Sequence, residues 1–173
     1  MHRDISYISH DQPARRFGES YLAMVDLGPF GFDNMYEQVW LRPVSEGSYE
    51  LTCLPFRAYG LSLGDIVELH DGRFVEKVTK RSGHRVFRVF FTEPRPSATG
   101  RDTRIDLRTA ITSGAFLSEW SGDRHVAVDV PADCDPTQLF NAVQEEIDNG
   151  SAFWEWSDAE PFRFPFPAPG TVG

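Results

Sequence analysis

A chain of 173 residues is long enough for one large domain or two small ones, with a buried core in either case. Its hydrophobic and aromatic fractions, 40% and 13%, exclude a disordered chain and indicate a folded globular protein. The net charge of -9 at pH 7 disfavours nucleic-acid binding, which needs a basic surface, and suits a basic protein partner. No apolar run approaches the roughly 18–20 residues of a membrane-spanning helix.

Cysteine and histidine usage indicates neither a disulfide framework nor a metal site. Cys53 and Cys134 are far apart and have no cluster of ligands beside them, so we expect two free thiols in a reducing cytoplasm. The five histidines show no metal-ligand spacing, and the sequence predicts no cofactor. The N-terminus has no basic segment followed by an apolar run, so no signal peptide is expected and a cytoplasmic location is predicted.

The first half of the chain is predicted to contain short strands. Residues 1–35 are expected to form an N-terminal arm, loose and polar up to residue 18 and including His10, with a candidate strand at residues 21–27. Residues 36–84 are expected to form a small antiparallel β unit, curled into a sheet or barrel, because strand-like runs alternate there with tight turns. These runs are residues 37–42, 49–54, 66–69 and 73–78.

From residue 85 onward, strands alternate with helices. Strands are predicted at residues 86–91, 116–120, 125–130 and 152–156, and helices at about 103–113 and after Pro136. The order β-α-β-β-α-β predicts an α+β, ferredoxin-like unit over residues 85–157, in which the first and third strands are central. The Pro- and Phe-rich tail, residues 158–173, cannot form a regular element and is suited to lying across an apolar surface.

Four blocks of sequence form a pattern that is specific when they are taken together. They are Glu37–Trp40; Cys53–Phe56 with Ala58–Leu61 and Leu63–Asp65; Arg81–Arg85 leading into Phe87–Val89; and Val128–Pro131. Through these blocks the chain resembles an uncharacterised bacterial family, the domain of unknown function 4265, over about residues 36–157. The resemblance supports the boundaries given above. It implies no activity and assigns no catalytic residues.

The polar turn before residue 86 carries the densest group of reactive side chains: Arg81, Ser82, His84 and Arg85. Residues two apart on a strand share a face, so Ser82 and His84 can meet as a hydroxyl and a base. No orienting carboxylate is evident, and no catalytic residue is predicted. One interpretation is a structural turn. The other is a ligand-binding groove in which the arginines hold an anion and Tyr59 forms a further wall.

Two other histidines receive structural interpretations. His70 precedes Asp71 and Gly72, a pair typical of a type I′ hairpin turn, so Asp71 is needed by the turn. His125 begins a predicted strand beside Asp123 and Arg124, and we expect it in a solvated turn.

Four aromatic residues are candidates for a partner-binding surface: Trp40, Phe56, Trp154 and Trp156. Core packing is the alternative for all of them. Trp154 and Trp156 share one face of a strand that is predicted to lie at a sheet edge. Because such a strand buries only one face, its other face would be open to the tail or to a partner.

These features support three functional hypotheses. The preferred one is a non-enzymatic cytoplasmic binding protein that holds a protein partner, with an immunity-type inhibitor of a toxin as the example, because the chain is small, acidic and without a catalytic constellation. The alternative is a small-molecule-binding protein or enzyme that uses a groove lined by Arg81, Ser82, His84 and Tyr59. The third is a structural subunit of an assembly joined through edge strands.

Overall fold

The computed structural model describes residues 4–93 and 102–165, and this part of the chain has a mixed α+β fold. Its strands and helices are β1 Ser6–Ile8, β2 Tyr21–Asp26, β3 Met35–Ser45, β4 Ser48–Leu51, β5 Ile66–His70, β6 Phe74–Lys80, β7 Arg85–Phe91, α1 Thr103–Ser113, β8 Ser118–Ser121, β9 His125–Val130, α2 Thr137–Asp148 and β10 Ala152–Trp156. The α+β prediction is therefore confirmed. Parts of the predicted arm, loop and tail, at residues 1–3, 94–101 and 166–173, lie outside the described residues. Neither α1 nor α2 is long and apolar enough to span a membrane.

The first sheet has six strands in the order β1-β3-β2-β6-β5-β4, and it closes on itself through the long strand β3. The first part of β3 pairs with β2, and its end, from Leu41 to Ser45, pairs with β4. A short parallel contact between Met24 and Phe74 joins β2 to β6 and completes the circuit. The apolar core inside this unit includes Val39, Leu41 and Val67.

Residues of the predicted N-terminal arm contribute to this unit, including the candidate strand at residues 21–27, which is observed as β2. Alternate residues of β2, Ala23 and Val25, are buried in its core, and β1 pairs in parallel with the start of β3. His10 is also buried. The loose-arm prediction is therefore wrong for Ser6–Ile8 and His10, because their partners lie far along the chain and leave no local pattern in the sequence.

The second sheet has four antiparallel strands in the order β10-β7-β9-β8. One of its faces is covered by α1 and α2, which bury Phe87, Val89 and Phe91 of β7 together with apolar residues of β9. Asp102 caps α1 by accepting a hydrogen bond from the backbone amide of Arg104. The central positions of β7 and β9 agree with their apolar sequences.

The opposite face of the second sheet packs against the first unit. Alternate residues of β7 point to this side, since successive side chains of a strand face opposite ways. The segment after β4 lies between the two sheets, and its Leu54, Phe56 and Leu63 form a small core with Val86 and Ala127. This seam is where the candidate functional site lies.

The described part of the tail crosses from β10 to the first unit. The Ser157 carbonyl accepts a hydrogen bond from the Gly60 amide at 2.8 Å, and Phe162 packs against the core of the first unit. Gly60 has a positive φ of 70°, and a Cβ at this residue would overlap the backbone nitrogen of Phe162. Only glycine therefore fits where the tail crosses.

Candidate functional site

Two buried carboxylates fix the segment that separates the sheets. Glu37, on β3, accepts hydrogen bonds from the backbone amides of Phe56, Arg57 and Ala58, the last at 2.8 Å. Glu119, on β8, accepts one from the Leu54 amide at 2.7 Å. Each carboxylate thus satisfies donors that no strand partner reaches, and together they hold the wall of the seam in place.

His10 lies between these carboxylates and stacks on the Phe56 ring, with ring centroids 4.5 Å apart. Its Nε2 is 3.0 Å from Oε1 of Glu37, and its Nδ1 contacts Oε2 of Glu119. Burial alone would lower the pKa of His10, but hydrogen bonds and charge from Glu119 and Glu37 raise that pKa to about 9. All three side chains are buried, so this arrangement is a structural ion cluster.

A cleft of about 260 Å³ opens beside this cluster, between the first unit and the helix-free face of the second sheet. Its aromatic lining residues are Phe32, Tyr59, Phe90, Phe153 and Trp154. Its polar lining residues are Arg57, Arg88, His125 and Glu155. Two arginines face one carboxylate here, so the cleft is locally positive on a chain whose net charge is -9.

Arg88 is the central residue of the cleft. It lies in the middle of β7 and is 1% exposed. Nη1 donates to the Ala58 carbonyl at 2.9 Å, and the guanidinium lies 4.6 Å from the centroid of the Tyr59 ring. Nη2 is 2.9 Å from Oε1 of Glu155, an ion pair without hydrogen-bond geometry. Nε has no hydrogen-bond partner among the described residues.

Tyr59 and Glu155 form the mouth of the cleft next to Arg88. The Tyr59 hydroxyl donates a hydrogen bond to Oε2 of Glu155. Partial burial and this bond to Glu155 raise the pKa of Tyr59 to about 12, so the phenol stays protonated at neutral pH. The Glu155 side chain is 37% exposed, which leaves it room to move away from Arg88.

His125 and Arg57 complete the polar lining. Burial, then the charges of Arg57 and Arg88, lower the pKa of His125 to about 3, so its imidazole is neutral and offers one donor and one acceptor. Arg57 lies between the Phe32 and Phe90 rings, 5.7 and 5.9 Å from their centroids. The prediction of a solvated turn at His125 is wrong, because the residue begins a central strand and is buried beneath the seam.

The predicted polar group does not gather around Tyr59. Arg81 is 3.2 Å from Asp65, and Arg85 makes two contacts with Asp158 at 2.9 and 3.0 Å. Together with His84 these arginines line a separate hollow of about 400 Å³. Each arginine there already has a carboxylate partner, whereas Tyr59 lies in the Arg88 cleft.

His84 has an orienting carboxylate that the sequence did not indicate. Its Nδ1 is 2.8 Å from Oδ1 of Asp129, on the adjacent strand. Burial raises the pKa of Asp129 despite the nearby His84 and Arg15. Ser82 Oγ accepts a hydrogen bond from the backbone amide of His84 at 3.1 Å, which stabilises the turn. This bond involves the backbone of His84, so it does not pair the Ser82 hydroxyl with the imidazole as a nucleophile with its base.

The four candidate partner-surface aromatics have different environments. Phe56 is 2% exposed, so its predicted place on a partner surface is wrong; it fills the core between the sheets. Trp40 donates its indole N–H to the His10 carbonyl at 3.0 Å. Trp156 is half-buried, and Trp154 is 41% exposed. Of the four, Trp154 is the one with a substantial free surface.

The sequence analysis singles out none of the four polar residues that line the cleft, Arg57, Arg88, His125 and Glu155, as site residues. Arg88 left a usable signal, since it is a charged residue in the middle of the otherwise apolar run Val86–Phe91. A buried charge in a central strand needs a partner or a function. The other three are assembled by the packing of the two sheets. Among the described residues, no group of three or more His, Cys, Asp or Glu side chains is arranged to hold a metal ion.

The fold and the cleft define a class of protein: an α+β chain in which a closed β unit and a four-stranded sheet enclose an arginine-centred cleft. The chain belongs to the family described as Domain of unknown function (DUF4265), whose profile matches residues 37–156. This confirms the resemblance that its sequence blocks indicated.

One solved structure shares this architecture. It is the crystal structure of a hypothetical protein from Neisseria gonorrhoeae, with a TM-score of 0.59 and 18% sequence identity. The alignment covers 83% of this chain and 97% of that one, so the two proteins share a fold. No curated protein matches the chain.

Proposed function

We propose that this protein binds a small anionic molecule in the Arg88 cleft, without catalysis. The observation that carries the proposal is the buried Arg88 guanidinium, whose Nε lacks a hydrogen-bond partner among the described residues. Leaving a buried polar donor unsatisfied costs roughly 1–3 kcal/mol, and more if the donor is charged. A bound anion would supply the missing acceptor and offset that cost.

The surroundings of Arg88 support the same function. The cleft is mainly aromatic with a few convergent polar groups, a composition that is usual for small-molecule sites. Arg57 makes no ion pair with a described residue and adds a second positive charge. This is the small-molecule alternative of the sequence analysis, moved from the Arg81 turn to the other end of the seam and keeping Tyr59.

The proposal is tested by thermal unfolding with benzoate, succinate or inorganic phosphate, using the intact chain and its Arg88→Lys variant. A ligand at one hundred times its Kd stabilises the folded protein by about 2.7 kcal/mol, which raises Tm by roughly 5–10 °C for a chain of this size. We expect at least one anion to raise Tm and the shift to be lost in Arg88→Lys. Absence of any shift, or equal shifts in both proteins, contradicts the proposal.

A second candidate function is a protein-binding one, as in the immunity-type inhibitor hypothesis. It is favoured by β10, an edge strand on which Phe153 is 62% and Trp154 41% exposed. The acidic net charge suits a basic partner, whose association would weaken with salt. The test is affinity capture from the host lysate. A stoichiometric partner that Trp154→Ser loses and Arg88→Lys keeps supports this function, and capture that is unaffected by Trp154→Ser contradicts it.

We further infer that residues 85–157 form a ferredoxin-like unit and that the protein is cytoplasmic. The first inference is supported by the order β7-α1-β8-β9-α2-β10, by the sheet order β10-β7-β9-β8, and by the position of both helices on one face. The second is supported by the two free thiols, buried Cys53 and exposed Cys134. Expression of the separate 85–157 segment and fractionation of the host cell are the respective tests.

A further inference from the structure

Building on the proposed function, we infer that the ligand is an aromatic monocarboxylate whose carboxylate takes the place of Glu155 on the Nε–Nη2 edge of Arg88. Nη1 is already engaged by the Ala58 carbonyl at 2.9 Å. The two remaining nitrogens, Nε and Nη2, form one edge of the guanidinium. A planar group with two oxygens can accept two parallel hydrogen bonds from this edge. A carboxylate has this shape.

Glu155 does not satisfy that edge. Its Oε1 lies 2.9 Å from Nη2 without hydrogen-bond geometry, and its Oε2 is held by the Tyr59 hydroxyl. Nε is left without an acceptor. A ligand carboxylate that binds both nitrogens therefore gains a hydrogen bond that Glu155 does not make. Glu155 is exposed enough to turn toward solvent while remaining near the cleft.

The charge of the cleft favours a single negative charge on the ligand. Arg57 and Arg88 are positive, Glu155 is negative, and His125 is neutral, which leaves one net positive charge. A monocarboxylate balances it. A phosphate dianion would bring excess negative charge beside Glu155, and like charges at this distance repel.

The walls of the cleft favour an aromatic ring on that carboxylate. Phe32, Tyr59, Phe90 and Phe153 line it, and flat rings gain about 0.5–1.5 kcal/mol from well-arranged aromatic neighbours. The volume of about 260 Å³ is below the roughly 300–1,000 Å³ of sites for drug-sized molecules, so one or two fused rings fit. Phe153, 62% exposed in the free protein, would be covered by such a ring.

The experiment is isothermal titration calorimetry of the intact chain at low salt with benzoate, cyclohexanecarboxylate, phenyl phosphate and inorganic phosphate. We expect benzoate to bind about 3–10-fold more tightly than cyclohexanecarboxylate, and more tightly than either phosphate. Arg88→Lys should weaken benzoate binding about 10–100-fold, because lysine keeps the positive charge but lacks the two parallel N–H donors of the guanidinium. Arg85→Lys, a matched substitution at an arginine paired with Asp158, should leave it unchanged.

Two variants, at half-buried Glu155 and exposed Phe153, keep the inference testable if Arg88→Lys fails to fold. Glu155→Gln should tighten benzoate binding, since it removes the competing carboxylate. Phe153→Ala should reduce the preference for benzoate over cyclohexanecarboxylate. Weaker benzoate binding by Glu155→Gln would contradict the inference that the ligand carboxylate takes the place of Glu155. An unchanged preference for benzoate in Phe153→Ala would contradict the contact between Phe153 and the ligand ring.

The outcomes separate this inference from the proposed function. If phenyl phosphate binds more tightly than benzoate and its binding depends on Arg88, the ligand is not a carboxylate, but the proposed anion binding still holds. Equal binding of benzoate and cyclohexanecarboxylate would overturn the aromatic ring alone. If none of the four compounds binds and no anion shifts Tm, both the inference and the proposed function fail.

Discussion

At the residue scale, His10 carries a proton in the folded protein because it lies between two buried carboxylates. Burial raises the pKa of Glu37, but the hydrogen bond and charge of His10 and the amides of Phe56 and Ala58 lower it overall. The opposite pKa shifts of these two residues therefore favour the charge state with His10 positive and Glu37 negative. Removing a single partner from such a buried group costs roughly 3–5 kcal/mol.

This charge state predicts a maximum of stability near pH 6.5. The pKa of folded His10, about 9, lies above its usual 6.5, so its contribution is complete below pH 6.5 and is lost as the pH rises to 9, a loss of about 3 kcal/mol. The pKa of folded His125, about 3, lies below 6.5, so stability also falls as the pH drops from 6.5 toward 3. Urea unfolding midpoints measured across this range check the prediction.

The control compares two histidine variants on the alkaline side. His10→Gln should abolish the decline above pH 6.5, whereas His70→Gln, at the half-buried last residue of β5, should retain it. A wild-type midpoint that stays constant up to pH 9 would contradict the assigned proton on His10.

The residue scale is also where sequence reasoning was weakest. The sequence predicts one groove that contains both Tyr59 and His84, but the two residues line separate hollows. The groove predicted from the sequence consists mainly of residues that are neighbours in the chain. The observed cleft is lined by residues from the 28–34 turn, the segment after β4, and the strands β7, β9 and β10. Which residues line the cleft depends on how the two sheets pack against each other, and the spacing of residues along the sequence does not show this.

At the element scale, the tail after β10 is held by its fit to Gly60. We expect Gly60→Ala to release this segment, because the new Cβ would overlap the Phe162 backbone. The readout is trypsin cleavage after Arg163, followed by mass spectrometry, and the variant should be cut faster than the wild type. Phe162 and Phe30, whose ring centroids are 6.3 Å apart, would separate in the variant.

Gly47→Ala is the matched control for this prediction. Gly47 has a similar positive φ, 73°, but no atom lies within 4 Å of an added Cβ. It therefore carries the same backbone strain without the overlap. Equal cleavage rates in the two variants would show that strain alone, and not the crossing of the tail, explains any effect.

Elements with strong local signals were predicted well. Both helices and the strands β7 to β10 were expected close to their observed positions, because caps, periodicity and turn residues lie within each segment. In contrast, β1 and the full length of β3 were missed. The sequence predicts a strand that ends at residue 42, yet β3 continues to Ser45 with an irregular register.

At the scale of the whole molecule, Glu119 links the two units. It lies on β8 of the second sheet and accepts hydrogen bonds from Ala14 and Leu54 on the other side of the seam. We expect Glu119→Gln to weaken this linkage, since it removes a buried charge beside protonated His10. Hydrogen exchange, followed separately for the two sheets, is the measurement.

The wild type should exchange both sheets with a common free energy of opening, as one cooperative unit. In Glu119→Gln the first sheet should open more readily than the second. Glu46→Gln, in the exposed turn between β3 and β4, should behave like the wild type. Identical protection of both sheets in Glu119→Gln would show that the apolar seam alone couples them.

The long sequence separation between His10 and Glu119 also affects the order in which the protein folds during synthesis. The two residues are 109 positions apart, so the N-terminal segment leaves the ribosome long before β8 is synthesised. Until then His10 lacks one of its carboxylates, and the seam cannot close around Glu37. Contacts between such distant residues carry a large loop-closure entropy and slow folding. His10 therefore completes its native contacts only late in folding.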